Sequence, residues 1–337
     1  MKTYTCISGD SHVQIKAEAY ADRVPEKFRD QLPKRIKLPN GGDGTVSPDG
    51  KVTFGSTGHY AGHTPENFDP RIAHWDDEAG WGSPEQRLKE QDIDGVDAEI
   101  LYTFVGRSGG RDPEMAKAVI YAYNSYLAEE FCGYAPDRLL GIGLLPHTGV
   151  VGDDIAEMEH IKKLGLRGVV VYSYPNGARY PTPEDDRFWA AALDMDMPVS
   201  VHTAMNLPRA PFGEFSIKYP IEPEGYDRPP ICVVDRMSRY GTTHCGCLEL
   251  TQMIMTGLFD RFPKLNNDPI GVELRHHVGV DHVMWGSDFP HEVTRWPESQ
   301  KMLSEHMAGV PEDEKRKMLG ENIKKFFHLA QLECVDL

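Results

Sequence analysis

The feature that most constrains this chain is a series of short, nearly unbroken apolar runs set between capped amphipathic segments. Residues 98–104 (AEILYTF), 139–145 (LLGIGLL), 167–172 (RGVVVY) and 198–203 (PVSVHT) are too apolar for strands with one wet face. Such runs belong to parallel sheets covered on both sides by helices. The helices between them carry their own start and stop signals. Ser83-Pro84-Glu85-Gln86 supplies a cap, a first-turn Pro and a Gln, and Gly95 closes the segment. Asp112-Pro113 opens a long helix to about residue 133, residues 153–164 form another that stops at Gly165, and residues 186–194 a third. With a first strand at 3–8 and a last one at 282–285, the pattern predicts an α/β fold, a barrel rather than an open sheet. Helices over 297–306, 311–319 and 321–329 are expected to close its outside.

Residues 13–82 interrupt this order. They are rich in Pro, Gly, Asp and His, show no sustained period, and are read as an irregular insertion after strand one. No linker or short repeat divides the rest, so the 337 residues are read as one domain. Thirty-six basic against 52 acidic residues give a formal charge of −16, which argues against nucleic acid or an anionic membrane as partner. No apolar run approaches the ~18 residues of a membrane span, and no secretory apolar core follows the first residues. Six cysteines are too few for a disulfide scaffold, and Cys245-x-Cys247 has no second pair to make a zinc knuckle. A cytoplasmic protein acting on a small molecule is the expectation.

Barrel active sites gather at the C-terminal ends of the strands, so polar residues there carry the chemistry. Strand one runs into Gly9-Asp10-Ser11-His12, and an i, i+2 spacing in extended backbone puts Asp10 and His12 on one face, about 6–7 Å apart at the backbone. Strand five contains His202, and the last strand runs into Gly286-Ser287-Asp288-Phe289-Pro290-His291. Each feature alone has a plainer reading. Asp-Ser after a strand is a common turn, a strand His is usually a satisfied core residue, and Asp288 before Phe-Pro is a turn cap. Two carboxylates and two imidazoles at three strand ends point instead to one divalent metal held by Asp10, His12, His202 and Asp288. Asp288 then doubles as the proton-transferring group. Arg107, just past strand two, is a candidate for pairing a substrate carboxylate, and His291 for a substrate contact. His59, His63 and His74 are read as loop residues, and His276 and His277 as residues of an outer helix.

These segments resemble the amidohydrolase-related family of metal-dependent hydrolases and decarboxylases that includes aminocarboxymuconate-semialdehyde decarboxylase. The resemblance is carried by GDSHV at 9–13, AYNSYLAEEFCGYAPDRLLGIGLLP at 122–146 and GLRGVVV at 165–171. PVSVHT at 198–203, GLFDRFPKL at 257–265 and MWGSDFPH at 284–291 complete it. It implies a distorted TIM-like (β/α)8 barrel with one divalent ion, Zn2+ first and Mn2+ second, on Asp10, His12, His202 and Asp288. It also implies a homodimer, and either hydrolysis or non-oxidative loss of CO2 from a small carboxylated ring compound, hydrolysis of a lactone or amide being the alternative. One departure is large. After Leu265 the sequence resembles the stretch just before strand eight, leaving only residues 266–281 where a strand–helix–strand needs about 25 or more. Strands six and seven are therefore expected to be missing, with the family's strand-six acid/base matched to no residue, so a catalytically impaired paralogue is a further alternative.

Overall fold

In the computed structural model, the described residues are 3–50, 52–54, 61–63, 72, 74–103, 112–178, 181–201, 275–291 and 294–335. Strand β1 (Thr3–Tyr4) is separated from β2 (Ile7–Val13), and β2 opens the parallel run. The single strand expected at 3–8 is thus two. β1 pairs with the C-terminal strand, whereas β2 pairs with the strand of residues 98–103 and continues through Asp10 and His12. A register shift between Ser8 and Ser11 interrupts that pairing.

The insertion is less irregular than its composition suggests. It holds two short helices, α1 (Ala17–Tyr20) and α2 (Glu26–Arg29), and an antiparallel sheet of β3 (Lys34–Lys37), β4 (Asp43–Val46) and β5 (Val52–Phe54). No apolar alternation announces these strands, because the sheet is tied down by charge. The carboxylate of Asp43, 1% exposed, accepts both guanidinium arms of Arg35 at 3.0 and 2.9 Å and the Trp75 N–H at 3.0 Å, and Lys37 Nζ lies 2.8 Å away.

Helix α3 (Pro84–Asp94) forms where its signals predict. The Ser83 side chain accepts the Gln86 N–H, and Gly95 ends the helix at φ 69°, where glycine is favoured. Strand β6 (Ala98–Thr103) follows, buried at all six positions as a strand covered on both faces must be. Helix α4 (Pro113–Tyr126) passes through a π turn into β7 (Leu139–Gly141) and β8 (Gly143–Leu144). The run expected as one strand is split at Ile142, with β7 pairing back to β6 and β8 forward to β9 (Val169–Val171). Gly143 lies so close to helix α5 (Val151–Leu164) that a Cβ there would sit 2.5 Å from the Ile161 side chain. Helix α6 (Asp186–Asp194) leads to β10 (Val199–Val201), parallel to β9. Each neighbour in this series follows in chain order through a helical crossover, as in barrel proteins.

The strand expected at 282–285 is instead a 3-10 turn (Val280–His282) followed by extended backbone that runs beside β2. Gly9 N–H bonds Trp285 O at 2.7 Å, Asp288 N–H bonds Asp10 O at 2.8 Å, and His12 N–H bonds Phe289 O at 2.6 Å. Regular pairing stops because Asp288 turns to φ 51°, in the left-handed region. Helix α7 (Ser299–His306) then precedes α8 (Glu312–Arg316) and α9 (Asn322–Phe326). A π turn joins the last two where a break at Gly320 is expected. Strand β11 (Glu333–Cys334) returns to β1. The main core fills the space between the parallel strands and their helices, and a smaller cluster around Val283, Leu303 and Met318 seats the C-terminal segments. Among the described residues, no helix is long and apolar enough to cross a membrane. The expected loss of strands six and seven is read from the short stretch 266–281; residues 266–274 of it lie outside the described residues, and 275–281 hold a short helix (Arg275–Val278) and the start of the 3-10 turn.

Candidate metal centre

The site forms where β2 meets the extended segment before Pro290. Holding two backbones this close needs a residue with no side chain in the way. Gly286 is that residue, since a Cβ there would stand 2.6 Å from the Asp10 Cβ and 3.0 Å from its backbone nitrogen. Three buried hydroxyls tie the same two segments together. Ser8 Oγ donates to Asp10 O at 2.9 Å and accepts the Ser287 N–H at 2.9 Å and the Ser11 hydroxyl at 2.8 Å. The Ser11 and Ser287 hydroxyls are 2.9 Å apart, and Ser287 Oγ also accepts the Phe289 N–H at 3.3 Å. Every hydroxyl finds both a donor and an acceptor, as buried polar groups must to avoid a desolvation cost.

This scaffold brings Asp10, His12, Asp288 and His291 together. His12 Nε2 lies 3.3 Å from Asp10 Oδ1 and 3.1 Å from Asp288 Oδ1. His291 Nδ1 is 2.9 Å from the same Asp288 oxygen, and the two imidazole centroids are 3.9 Å apart. Potential ligand atoms of His12, Asp288 and His291 all fall within 4.8 Å of one another. His12 is buried, whereas Asp10 is half exposed, so the cluster opens to solvent on the Asp10 side. The electrostatics favour positive charge at this point. Burial opposes a charge on His12, yet its hydrogen bonds to Asp10 and Asp288 raise its pKa to about 9. Burial likewise pushes the Asp288 carboxyl up, but His12 and His291 outweigh it and hold the group well below the usual carboxylate range. Imidazole nitrogens with carboxylate oxygens suit Zn2+ or Mn2+, so the donor set fits a divalent ion.

His202 and Arg107 lie outside the described residues, so the four-residue ligand set is described here at Asp10, His12 and Asp288 only. His291, read from sequence as a substrate contact, is placed among the potential ligand atoms. The serine cluster was not singled out in the sequence. Its signal is a hydroxyl beside each acidic residue, Ser8 and Ser11 around Asp10 and Ser287 before Asp288. Tyr102 was also missed. It is the register partner of His12 on β6, its ring stands 5.8 Å from the His12 ring, and its hydroxyl lies 2.7 Å from Ser200 Oγ on β10. His63, read as a loop residue, is bonded to Glu78 at 2.8 Å.

A sequence profile of the amidohydrolase family matches residues 62–267 and 265–329, most of the chain. The chain belongs to the amidohydrolase family. The two stretches of this amidohydrolase match overlap at residues 265–267. Decarboxylase orsB of Emericella nidulans is 24% identical over 159 residues, 47% of this chain and 44% of that protein, so the alignment spans less than half of the relative's length. Among solved structures, amidohydrolase map2389c from Mycobacterium avium subsp. paratuberculosis K-10 is 16% identical, with a TM-score of 0.68 over 97% of this chain and 98% of that one. The 5-carboxyvanillate decarboxylase of Novosphingobium aromaticivorans DSM 12444 is 15% identical, with a TM-score of 0.58 over 96% of each chain. That enzyme was solved with manganese and 4-hydroxy-3-methoxy-5-nitrobenzoic acid. At these identities the likeness shows the fold, a distorted α/β barrel.

Proposed function

We propose that this amidohydrolase is a metal-dependent carboxy-lyase that removes CO2 without oxidation from a small, hydroxylated and carboxylated ring compound. The observation that carries the reading is His12 Nε2 within 3.3 Å of Asp10 and 3.1 Å of Asp288, with His291 Nδ1 2.9 Å from Asp288. Asp10, His12, Asp288 and His202 would hold one divalent ion, with His291 beside them. The bound ion would supply the positive charge that neutralises the substrate's carboxylate and an adjacent hydroxyl. Zn2+ suits the nitrogen and oxygen donors, and the manganese of the structural relative makes Mn2+ the ion to test beside it.

The chain's own groups would do the proton work. A proton passed from His291 to the Asp288 carboxylate, which its neighbours otherwise hold ionised, moves on to the ring carbon as the bond from that carbon to the substrate carboxylate breaks. The bonding electron pair stays on the ring carbon and takes up that proton, and CO2 leaves. His291 Nδ1, hydrogen-bonded to Asp288 Oδ1, is the group placed to restore the proton. Arg107 would pair the substrate's anionic edge.

The test combines metal analysis of purified protein with CO2 release from 2,6-dihydroxybenzoate and other hydroxybenzoates. One Zn2+ or Mn2+ per chain and CO2 release that falls at least ~10³-fold in Asp288→Asn are expected. Lactone opening with no CO2 release would move the assignment to hydrolysis. A metal-free chain inert in both assays would make it an impaired paralogue.

A further inference from the structure

Behind the metal centre lies a buried charged cluster for which the reaction has no use. Arg87, on α3 and 2% exposed, donates from Nε to Glu99 Oε2 at 2.7 Å and from Nη2 to Glu99 Oε1 at 3.1 Å. Glu99, on β6 and equally buried, also accepts Gln91 Nε2 at 2.7 Å. Among the described residues, the third guanidinium nitrogen, Nη1, is buried and finds no hydrogen-bond partner. The plane instead faces the Phe289 ring, with Cζ 4.2 Å from its centroid. For holding a fold together this is a poor arrangement. A buried ion pair seldom outperforms apolar residues of the same size, and an unpaired N–H adds a desolvation cost.

What the cluster touches gives it a purpose. Phe289 follows Asp288, its carbonyl accepts the His12 N–H at 2.6 Å, and its own N–H bonds Ser287. Asp288 is held at φ 51°, a conformation that costs energy in an aspartate and persists only when its neighbours fix it. Around the ring stand Trp296 at 5.6 Å, whose indole N–H bonds Glu90 O on α3, and Gly80, packed against Pro290 and donating to Glu90 Oε1. α3 therefore grips the turn from its outer side while the serines grip it from the inner side.

We propose that Arg87 is a positioning residue for the metal centre: forked onto Glu99 and stacked on Phe289, it fixes the turn that presents Asp288 and His291 to His12. This rests on the metal reading given above. A planar fork that also stacks is a task for arginine, and lysine does not replace it.

The experiment titrates Mn2+ into wild type, Arg87→Met/Glu99→Met and Phe289→Leu, and records the visible spectrum of each after Co2+ loading. The double variant removes both charges together, so its unfolding midpoint is expected to stay near that of wild type. Its Mn2+ affinity is expected to fall by roughly tenfold or more, with an altered Co2+ spectrum, as when groups that orient metal ligands are lost. Should the double variant fail to fold, Phe289→Leu leaves the ion pair intact and is expected to show the same loss. Variants that bind Mn2+ as tightly as wild type, with the same Co2+ spectrum, would overturn the role of Arg87 alone. A wild-type protein that takes up neither ion would overturn the metal reading, and this inference with it.

Discussion

Glu157 on α5 is a carboxyl in a place built for a neutral group. It is 7% exposed and accepts Asn124 Nδ2 at 2.8 Å. Asn124 in turn bonds Leu144 of β8 through both its carbonyl and its N–H, at 2.9 Å each. Burial raises the Glu157 pKa, the Asn124 bond lowers it, buried Asp154 adds to the rise, and the result is about 7. The unfolded chain releases this proton near pH 4.5, so between about 4.5 and 7 the native state alone keeps it. Stability from this group is present below the unfolded pKa and lost as pH rises through 7. Glu157→Gln keeps the oxygen that faces Asn124 and cannot ionise. Urea unfolding at pH 5 and pH 8 is expected to show wild type losing about 2 kcal/mol more than the variant. Parallel stability–pH curves for the two proteins would refute this. Glu157 illustrates what sequence leaves unread at the residue scale. A Glu on a helix of mixed polarity looks solvated, and only the packing of α5 on β8 buries it. Asp10 and His12 were legible because their i, i+2 spacing is local, whereas the partnership of His291 with Asp288 depends on the left-handed turn at 288.

Among elements, α3 and β6 were legible because their signals sit inside them: a Ser cap, a Pro at N1, a closing Gly and six buried strand residues. The insertion sheet was not, since its determinants are charges that meet from distant positions. Arg35 bonds Asp76 as well as Asp43, and the Trp75 ring stacks on Trp81 at 4.8 Å. Asp43 thus joins β3 and β4 to the segment of residues 74–82, which reaches Pro290 through Gly80. Burial works against the Asp43 charge, but Arg35 and Lys37 bring its pKa down to about 2, so it stays ionised at neutral pH. Asp43→Ala removes the shared acceptor and leaves Arg35 and Lys37 facing each other. Arg35 keeps Asp76 and Lys37 is exposed, so the cost is that of the lost hydrogen bonds, roughly 1–3 kcal/mol, and the loss should remain local. Hydrogen exchange is expected to accelerate at residues 34–46 and 74–82 while β6 and β9 keep their protection. Uniform acceleration across the chain would show instead that the insertion sheet is integral to the barrel.

For the whole molecule, the centre acts as a clasp between sequence extremes. Ser8 and Ser287, hydrogen-bonded inside it, are 279 positions apart, and β1 and β11 join the same ends again. The barrel class was legible from strand and helix alternation, but the closeness of Gly286 to Asp10 was not, being a contact between remote segments. A cation bound at the clasp binds the folded chain and not the unfolded one, so it must stabilise the whole. At a hundred times its dissociation constant the gain is about 2.7 kcal/mol, which for a chain of this size raises the melting temperature by roughly 4 °C. Stripping the protein with a chelator should lower the midpoint by that amount, and adding back Zn2+ or Mn2+ should restore it with a midpoint that climbs with the logarithm of ion concentration. Mg2+, which prefers an all-oxygen shell, should restore little. In Asp288→Asn the chelated midpoint should barely respond to added ion. A midpoint indifferent to chelation in the wild-type chain would mean that His12 and Asp288 meet only as an ion pair.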